Sequence, residues 1–202
     1  LLRFQMLNNM WSKGSGKMEG IPSLNDDTVS NPFCQKMSKT DSICGSCYSM
    51  NMLKTFRKKC RPKFKFVGTY LSEKVREPHE LPICPAHHGR FHSHGELRNE
   101  THFINFIGIC NNQPNTTFTL WTKRKDIVNS VLTHKTKPKN LLLVFSNSNV
   151  DSVIKRAPRH FNKVFNNVSK KQENINCFGK CSDCMMCYTV GDKTEQIIEQ
   201  IK

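Results

Sequence analysis

The sequence has no run approaching the roughly 18 consecutive apolar residues that a membrane helix needs. Its first residues also lack the charged start, long apolar segment and small-residue cleavage site of a secretory signal. We therefore expect no membrane association and a cytoplasmic location. The sequence contains no internal repeat, and its length suits one domain over residues 1–202.

Acidic residues are scarce, with 16 Asp and Glu against 31 Lys and Arg, which gives a formal net charge of +15. Neutralising phosphates releases counterions, so such an excess is typical of a surface that binds nucleic acid or an acidic protein. A generally basic surface without a partner is the alternative. The basic clusters lie at Lys54–Phe66, Thr122–Lys125, Thr133–Lys139 and Lys155–His160. Their spread predicts a folded basic face rather than a basic tail.

Cysteine, in contrast, is abundant, with ten residues in the chain. In a reducing compartment, clustered thiols indicate metal ligands rather than disulfides. The segment NCFGKCSDCMMCY (Asn176–Tyr188) contains the C-terminal quartet: Cys177, Cys181, Cys184 and Cys187. Intervals of two and three residues favour an iron–sulfur cluster, most simply [4Fe–4S]. Zinc is the alternative, although structural zinc sites usually combine two C-x2-C pairs across a longer span. Disulfides are the third interpretation.

A second set lies in NPFCQKMSKTDSICGSCY and forms the N-terminal trio: Cys34, Cys44 and Cys47. Three thiolates leave one position of a metal centre open, or they take a fourth ligand from elsewhere. Cys60, Cys84 or a histidine are the candidates for that ligand. The alternative is three buried thiols that act as small hydrophobic side chains.

The segment HHGRFHSHGE contains further candidate site residues. His92 and His94 fall on one face of a predicted strand and can ligate a metal, although a histidine pair of this kind also has a purely structural interpretation. Gly95 lets a ligand approach the backbone, and Glu96 can accept a hydrogen bond from an amino group. A tight turn followed by an acid at a helix start is the alternative interpretation.

Strand and helix patterns alternate between residues 86 and 170. Strands are predicted at Arg90–Glu96, in NTTFTLWTKR, at Asn140–Ser146 and in NKVFNNVS, with helices in NETHFINFIGIC, DIVNSVL and VDSVIKRA. This order predicts a parallel α/β sheet as the core of one domain. A cysteine-containing segment over residues 1–60 precedes the core, and a cysteine cluster over residues 174–190 follows it.

Ligands of parallel sheets bind at the carboxyl ends of the strands. Three short segments are expected at that edge, namely Gly95–Glu96, Thr122–Arg124 and Ser146–Asn147. A site there lets a ligand approach the backbone closely and contact polar side chains from neighbouring strands.

The ordered motifs resemble the phage family "gene product eighty-eight", over roughly residues 11–190. The trio with Tyr48 matches that family's cysteine trio, and His94–Leu97 takes the place of its Ser-Gly-Asp-Phe element. Its Thr-Lys strand appears within Trp121–Arg124, and PKNLLLVFSNSNVD matches the strand that follows. The resemblance implies a phage protein that acts in the host cytoplasm.

The same layout is similar to a shortened radical SAM barrel. The trio stands for the cluster cysteines, and HGEL (His94–Leu97) stands in place of Gly-Gly-Glu-Pro. This resemblance implies a partial α/β barrel, or an open parallel sheet, with cysteine-rich metal-binding loops toward both ends of the chain. It also implies that Gly95 and Glu96 approach S-adenosylmethionine beside an open iron. The trio spacing and the missing second glycine and proline depart from the pattern.

Two functions follow. In the first, the protein binds iron–sulfur clusters that fold its loops, and its basic face binds nucleic acid or an acidic host protein. In the second, it is a radical SAM-like enzyme in which the quartet holds an auxiliary cluster. A zinc-dependent nucleic-acid-binding protein is a third interpretation. The degenerate motif around Glu96 favours the first function, and no pattern predicts an oligomeric state.

Overall fold

The computed structural model describes residue 7 and residues 9–201. The start of the chain, on which the expectation about a secretory signal rests, lies partly outside them. The strands are β1 (Ser23–Leu24), β2 (His88–Phe91), β3 (Thr117–Thr122), β4 (Leu141–Ser146), β5 (Lys163–Val168) and β6 (Gln196–Gln200). The helices are α1 (Pro32–Met37), α2 (Tyr48–Lys54), α3 (Arg61–Glu73), α4 (Glu100–Asn112), α5 (Lys125–His134) and α6 (Cys181–Cys184).

All six strands are parallel and lie side by side in the order in which they occur along the chain. Every connection therefore moves on to the next strand in the same direction, without the reversal of a doubly wound sheet. The sheet is not closed, because no pairing joins β1 to β6 in the described part of the chain. The prediction of a single parallel α/β domain is confirmed.

One face of the sheet packs against the helices. Side chains alternate between the two faces along a strand, and Phe118, Leu120 and Leu143 point to this side, where they share a core with α3, α4 and α5. The ring of Phe91 stacks on that of Phe106, with 4.1 Å between centroids. Burial of these apolar side chains is the main force that holds the helices on the sheet.

The opposite face has its own, smaller core. Val144, Phe165 and Ile197 form it, and Trp121 packs against them. Cys177, Met186 and Cys187 cover the same cluster. The C-terminal cysteine segment therefore lies on the face of the sheet opposite α3, α4 and α5, and it lies between β5 and β6 in the chain.

The predicted strands NTTFTLWTKR, Asn140–Ser146 and NKVFNNVS are confirmed as β3, β4 and β5. The strand predicted at Arg90–Glu96 is wrong in its bounds, since β2 spans His88–Phe91. His92 has a φ of +62° and cannot continue the strand. The chain from His92 to Glu96 is instead the loop at the carboxyl end of β2.

Two of the predicted helices, in NETHFINFIGIC and DIVNSVL, are confirmed as α4 and α5. The helix predicted in VDSVIKRA is wrong. Asp151 has a φ of +59°, and its carboxylate accepts hydrogen bonds from the backbone N–H and hydroxyl of Ser169. These bonds tie the segment to the end of β5 and replace helical turns. No helix among the residues described has the length and apolar character to cross a membrane.

Candidate metal centres

Loops from the first three strands meet at the carboxyl edge of the sheet. Glu96 follows β2, and its buried carboxylate accepts hydrogen bonds from the Thr122 hydroxyl at 2.5 Å and the Lys123 backbone N–H at 2.8 Å. A third bond comes from the N–H of Leu97. Lys123 Nζ in turn donates to Ser146 Oγ at the end of β4. The prediction that these strand ends lie together is confirmed.

Burial raises the pKa of Glu96, while Lys123 and the hydrogen bonds from Thr122 and from backbone N–H groups oppose that rise. The carboxylate is thus fixed in position at the edge of the sheet. It joins the loop after β2 to the loop after β3, and it cannot turn away without leaving backbone donors unpaired.

The connection from β1 to β2 carries the trio to the same edge. Asn31 caps α1, because its Oδ1 accepts from the N–H of Cys34 at 3.1 Å. The Asn31 amide also donates to Asp26 Oδ2 at 2.6 Å and to the carbonyl of Glu96 at 2.8 Å. One buried amide therefore positions Cys34 beside the ends of β1 and β2.

The three thiols of the trio are close enough for their charges to interact. Burial raises the pKa of Cys34, and the charges of Glu96, Cys47, Asp26 and Cys44 raise it further. Burial also raises the pKa of Cys44, with Lys123 acting against it. All three cysteines are intermediate in burial. The structure therefore gathers the trio beside Glu96.

Behind the trio lies a buried chain of hydrogen bonds. Arg57 Nη1 lies 3.1 Å from Nε2 of His94, and since arginine only donates, this nitrogen is the acceptor. His94 Nδ1 then donates to Ser49 Oγ at 2.7 Å, and Ser49 lies 2.6 Å from the hydroxyl of Thr28. The N–H of Gly95 donates to the same Thr28 hydroxyl. These bonds hold the loop after β2 against the segment that follows Cys47.

His92 and His94 do not form the pair that their spacing suggested. The ring of His92 packs against that of His102 at 5.2 Å, and neither of its nitrogens has a hydrogen-bond partner in the protein. His94 is committed to Ser49 and Arg57. Burial lowers the pKa of both rings, to about 3 for His92 and about 4 for His94.

The quartet lines one pocket on the face of the sheet opposite α3, α4 and α5. Cys181 and Cys184 belong to the short helix α6, and Met185 then takes a left-handed turn with a φ of +50°. The hydroxyl of Thr119 on β3 donates to the carbonyl of Cys187 at 2.8 Å. The sequence prediction that these four cysteines form one group is consistent with this placement.

Two cations accompany the quartet. Lys17 Nζ lies 3.3 Å from Cys177 Sγ and pairs with Glu199 at 2.5 Å. Arg90 on β2 places its guanidinium over the ring of Trp121, 4.3 Å from the centroid. The charge of Arg90 lowers the pKa of Cys181 and Cys187, although burial raises both overall, to about 12 for Cys187.

In the described part of the chain, no three His, Cys, Asp or Glu side chains converge closely enough to hold a single metal ion as they stand. Of the cysteines proposed as a fourth ligand, Cys84 belongs to the core between sheet and helices and lies near the amino end of β2. It is therefore at the opposite edge of the sheet from the trio. Cys60, the other cysteine proposed for this role, directly precedes α3 and is intermediate in burial.

Sequence reasoning missed several residues that organise the two sites. Asp26 is fully buried and forms a two-point ion pair with Arg98, at 2.6 and 2.8 Å. Asn31 and Arg90 are likewise without a recognisable motif. The local sequence signal for this region is the polar run Asn25–Thr28, which follows β1. Because β1 has only two residues, the sequence does not identify it as a strand.

Comparison with known proteins gives one match. The family model described as Gene product 88 matches residues 11–199, nearly the whole chain. The match agrees with the resemblance drawn from the trio and the strand motifs. No curated protein and no solved structure matches the chain.

Proposed function

The chain belongs to the Gene product 88 family, and we propose that its trio binds a [4Fe–4S] cluster with one iron left free for S-adenosylmethionine. When bound, this pair of groups supplies one-electron reductive cleavage of a carbon–sulfur bond, the chemistry that the radical SAM resemblance implies. The single observation that carries the proposal is the position of the trio at the carboxyl edge, where Asn31 binds both the N–H of Cys34 and the carbonyl of Glu96.

The fold supports this assignment. Six parallel strands in sequential order, with helices on one face, are the arrangement from which α/β barrels are built. Barrel enzymes place their active sites at the carboxyl ends of the strands, on the loops that follow them. The trio lies on the first such loop and Glu96 on the second, so both occupy the position that a barrel active site takes.

The donor set fits a cluster better than a lone ion. A cluster presents its ligands with several metal atoms and so accepts thiolates that stand further apart than the ligands of one ion. The neighbouring carboxylates of Glu96 and Asp26 raise the pKa of Cys34 and so disfavour its thiolate. The positive charge of bound iron reverses this effect, because a coordinated thiol loses its proton.

Glu96 is the residue best placed to bind the amino group of S-adenosylmethionine. A carboxylate can accept about four hydrogen bonds. The carboxylate of Glu96 accepts three, from Thr122, Lys123 and Leu97, which leaves about one for the amino group. Gly95 is the other residue expected to contact this cofactor. A Cβ added to Gly95 would point at Asp26. We therefore assign Gly95 to the packing of the loop and Glu96 to the cofactor.

The test uses anaerobically reconstituted protein and measures visible absorption, iron, sulfide and zinc content, and the EPR spectrum of the reduced state. We expect a brown protein whose EPR signal changes when S-adenosylmethionine is added. Glu96→Gln should keep the iron and weaken the cofactor affinity roughly 10- to 100-fold, the value of one charge-assisted hydrogen bond. A colourless protein with stoichiometric zinc and no sulfide would overturn the proposal.

A second candidate function, nucleic-acid binding, is favoured by the surface next to the trio. Residues 42–72 contain seven Lys and Arg and no Asp or Glu. Lys58, Lys59 and Lys65 are exposed on this stretch, and so is Phe56, whose side chain is 74% exposed. Basic side chains interleaved with exposed aromatic rings suit single-stranded nucleic acid, which combines phosphates with stacking bases. Such binding is compatible with either an enzymatic or a purely structural role of the clusters.

A further inference from the structure

The pocket of the quartet, on the face of the sheet away from the helices, has the composition of a second inorganic site. We propose that the quartet binds an iron–sulfur cluster of its own, with all four thiolates as ligands and no open iron. This goes beyond the proposed function of the trio, because the site is built from a different segment and does not need the trio to be occupied.

The first argument is the donor arrangement. All four thiols line one pocket, and Cys181 and Cys184 stand three residues apart on α6, on the same side of the helix. The left-handed turn at Met185 brings the chain back so that Cys187 reaches the same space. Cys177 approaches from the segment before α6. No carboxylate lines the pocket among the residues described.

The second argument comes from two unpaired donors. Trp121 and Tyr188 both line the pocket, and both side chains carry a buried donor. The Tyr188 oxygen faces the guanidinium of Arg90, which only donates, so among the described residues neither the Tyr188 O–H nor the Nε1–H of Trp121 has an acceptor. An unpaired buried donor costs about 1–3 kcal/mol and calls for an explanation. The inorganic sulfides of a cluster are acceptors, so a cluster in this pocket would offer partners to both groups.

The third argument is charge. A cluster held by four thiolates is an anion, and the charged groups that face the quartet are mainly cations. Lys17 donates to Cys177 Sγ, and the guanidinium of Arg90 lies over the ring of Trp121, which lines the same pocket. Glu199, the acid coupled to Cys177 and Cys181, is itself paired with Lys17. Positive groups around the sulfur ligands stabilise a bound cluster and raise its reduction potential.

The pocket that the four thiols line is small, about 30 Å³. A cluster needs more room, so the loop must move outward when the cluster is built. The loop has that freedom. A Cβ placed on Gly179 would meet nothing within 4 Å, and the side chain of Phe178 is 83% exposed. The loop is therefore bounded by solvent on its outer side.

The experiment compares three variants after anaerobic reconstitution with iron and sulfide. The trio variant is Cys34→Ser/Cys44→Ser/Cys47→Ser, and the quartet variant is Cys181→Ser/Cys184→Ser. Cys84→Ser is the matched control, since Cys84 belongs to neither set and lies at the opposite edge of the sheet from the trio. We expect each multiple variant to keep half of the iron and sulfide of the wild type, and the control to keep all of it.

The spectra separate the two sites. The cluster that remains in the trio variant should give an EPR signal when it is reduced, and S-adenosylmethionine should not change that signal. A trio variant that folds but binds no iron, or binds one zinc per chain, overturns the second cluster while leaving the first proposal standing. The opposite result, iron in the trio variant and none in the quartet variant, would overturn the proposed function alone. Because the decisive measurement is made on the trio variant, it stands even if the quartet variant fails to fold.

Discussion

A Cβ built on Gly95 would lie 2.6 Å from both the Cβ and the carbonyl oxygen of Asp26. The loop after β1 and the loop after β2 thus touch through a glycine whose φ is +84°. This contact positions Glu96, the next residue, and the polar segment that leads to the trio. Both proposed functions of the carboxyl edge depend on it.

We expect Gly95→Ala to destabilise the protein. The left-handed conformation costs an L-residue about 1–2 kcal/mol, and the overlap with the Asp26 backbone adds to it. The free energy of unfolding in urea measures the change. Gly179→Ala is the matched control and should have little effect, because nothing lies within 4 Å of the added methyl group. Equal stability of the two variants would show that the loops do not meet as described.

Removing Arg98 should be costly. Asp26 is fully buried, and Arg98 is its cationic partner at 2.6 Å. Arg98→Met leaves the buried charge of Asp26 without its partner, and we expect the free energy of unfolding in urea to fall by about 3–5 kcal/mol. The double variant Asp26→Asn/Arg98→Met should lose less stability, since the negative charge of residue 26 is removed together with its cationic partner. Lys180→Met breaks the exposed pair with Glu19 and serves as the control, with an expected change near zero.

Acidification should destabilise the fold through its buried histidines. Burial, together with Arg57 and Arg90, lowers the pKa of His94 from 6.5 to about 4. Between these values the unfolded chain binds a proton that the native state excludes, so stability falls as the pH drops from about 6.5 toward 4. The contribution of His94 is roughly 3 kcal/mol. Urea unfolding across this range measures it, and a His94→Gln variant with the same pH slope as the wild type would contradict the assignment.

Binding of single-stranded nucleic acid should depend steeply on salt if the surface around residues 42–72 is an interface. Lys58→Gln/Lys59→Gln/Lys65→Gln should flatten the slope of log affinity against log salt by about 0.7 for each phosphate that the variant no longer neutralises. Phe56→Ala should weaken binding by about 1–3 kcal/mol, because a base can no longer stack on its ring. Fluorescence anisotropy with a labelled oligonucleotide measures both. Phe178→Ala, an equally exposed phenylalanine outside the stretch, is the control, and no binding at low salt would exclude this partner.

Arg90 should set the reduction potential of the quartet cluster. In the trio variant, Arg90→Gln removes a positive charge that favours the electron-rich state, so the potential should shift to more negative values. Arg90→Lys keeps the charge and should shift it less. Redox titration followed by EPR measures the shift, which a purely structural role of Arg90 would not produce. An unchanged or more positive potential in Arg90→Gln would contradict the proposal.

The sequence by itself determined the parallel sheet and the two cysteine sets. The continuous apolar run of β4 and the Thr-rich, aromatic sequence of β3 are local patterns. A strand that is buried in a sheet needs apolar or β-branched residues at its own positions, so its sequence reveals it. The cysteine spacings are equally local. They divide the thiols into two sets along the chain but do not show where the loop that carries each set lies.

Tertiary structure decided the rest. β1 is two residues long and exists through its pairing with β2 and a bridge between Ser12 and Ser23, so its own sequence carries too weak a pattern to reveal it. The placement of the quartet on the face opposite α3, α4 and α5 depends on β6, which pairs with β5 and so fixes both ends of the intervening loop. Arg90 lies against Trp121, and Asp26 against Gly95, only because the folded sheet brings together residues far apart in the chain. Contacts of this kind arise from packing between distant segments, and no local propensity encodes them.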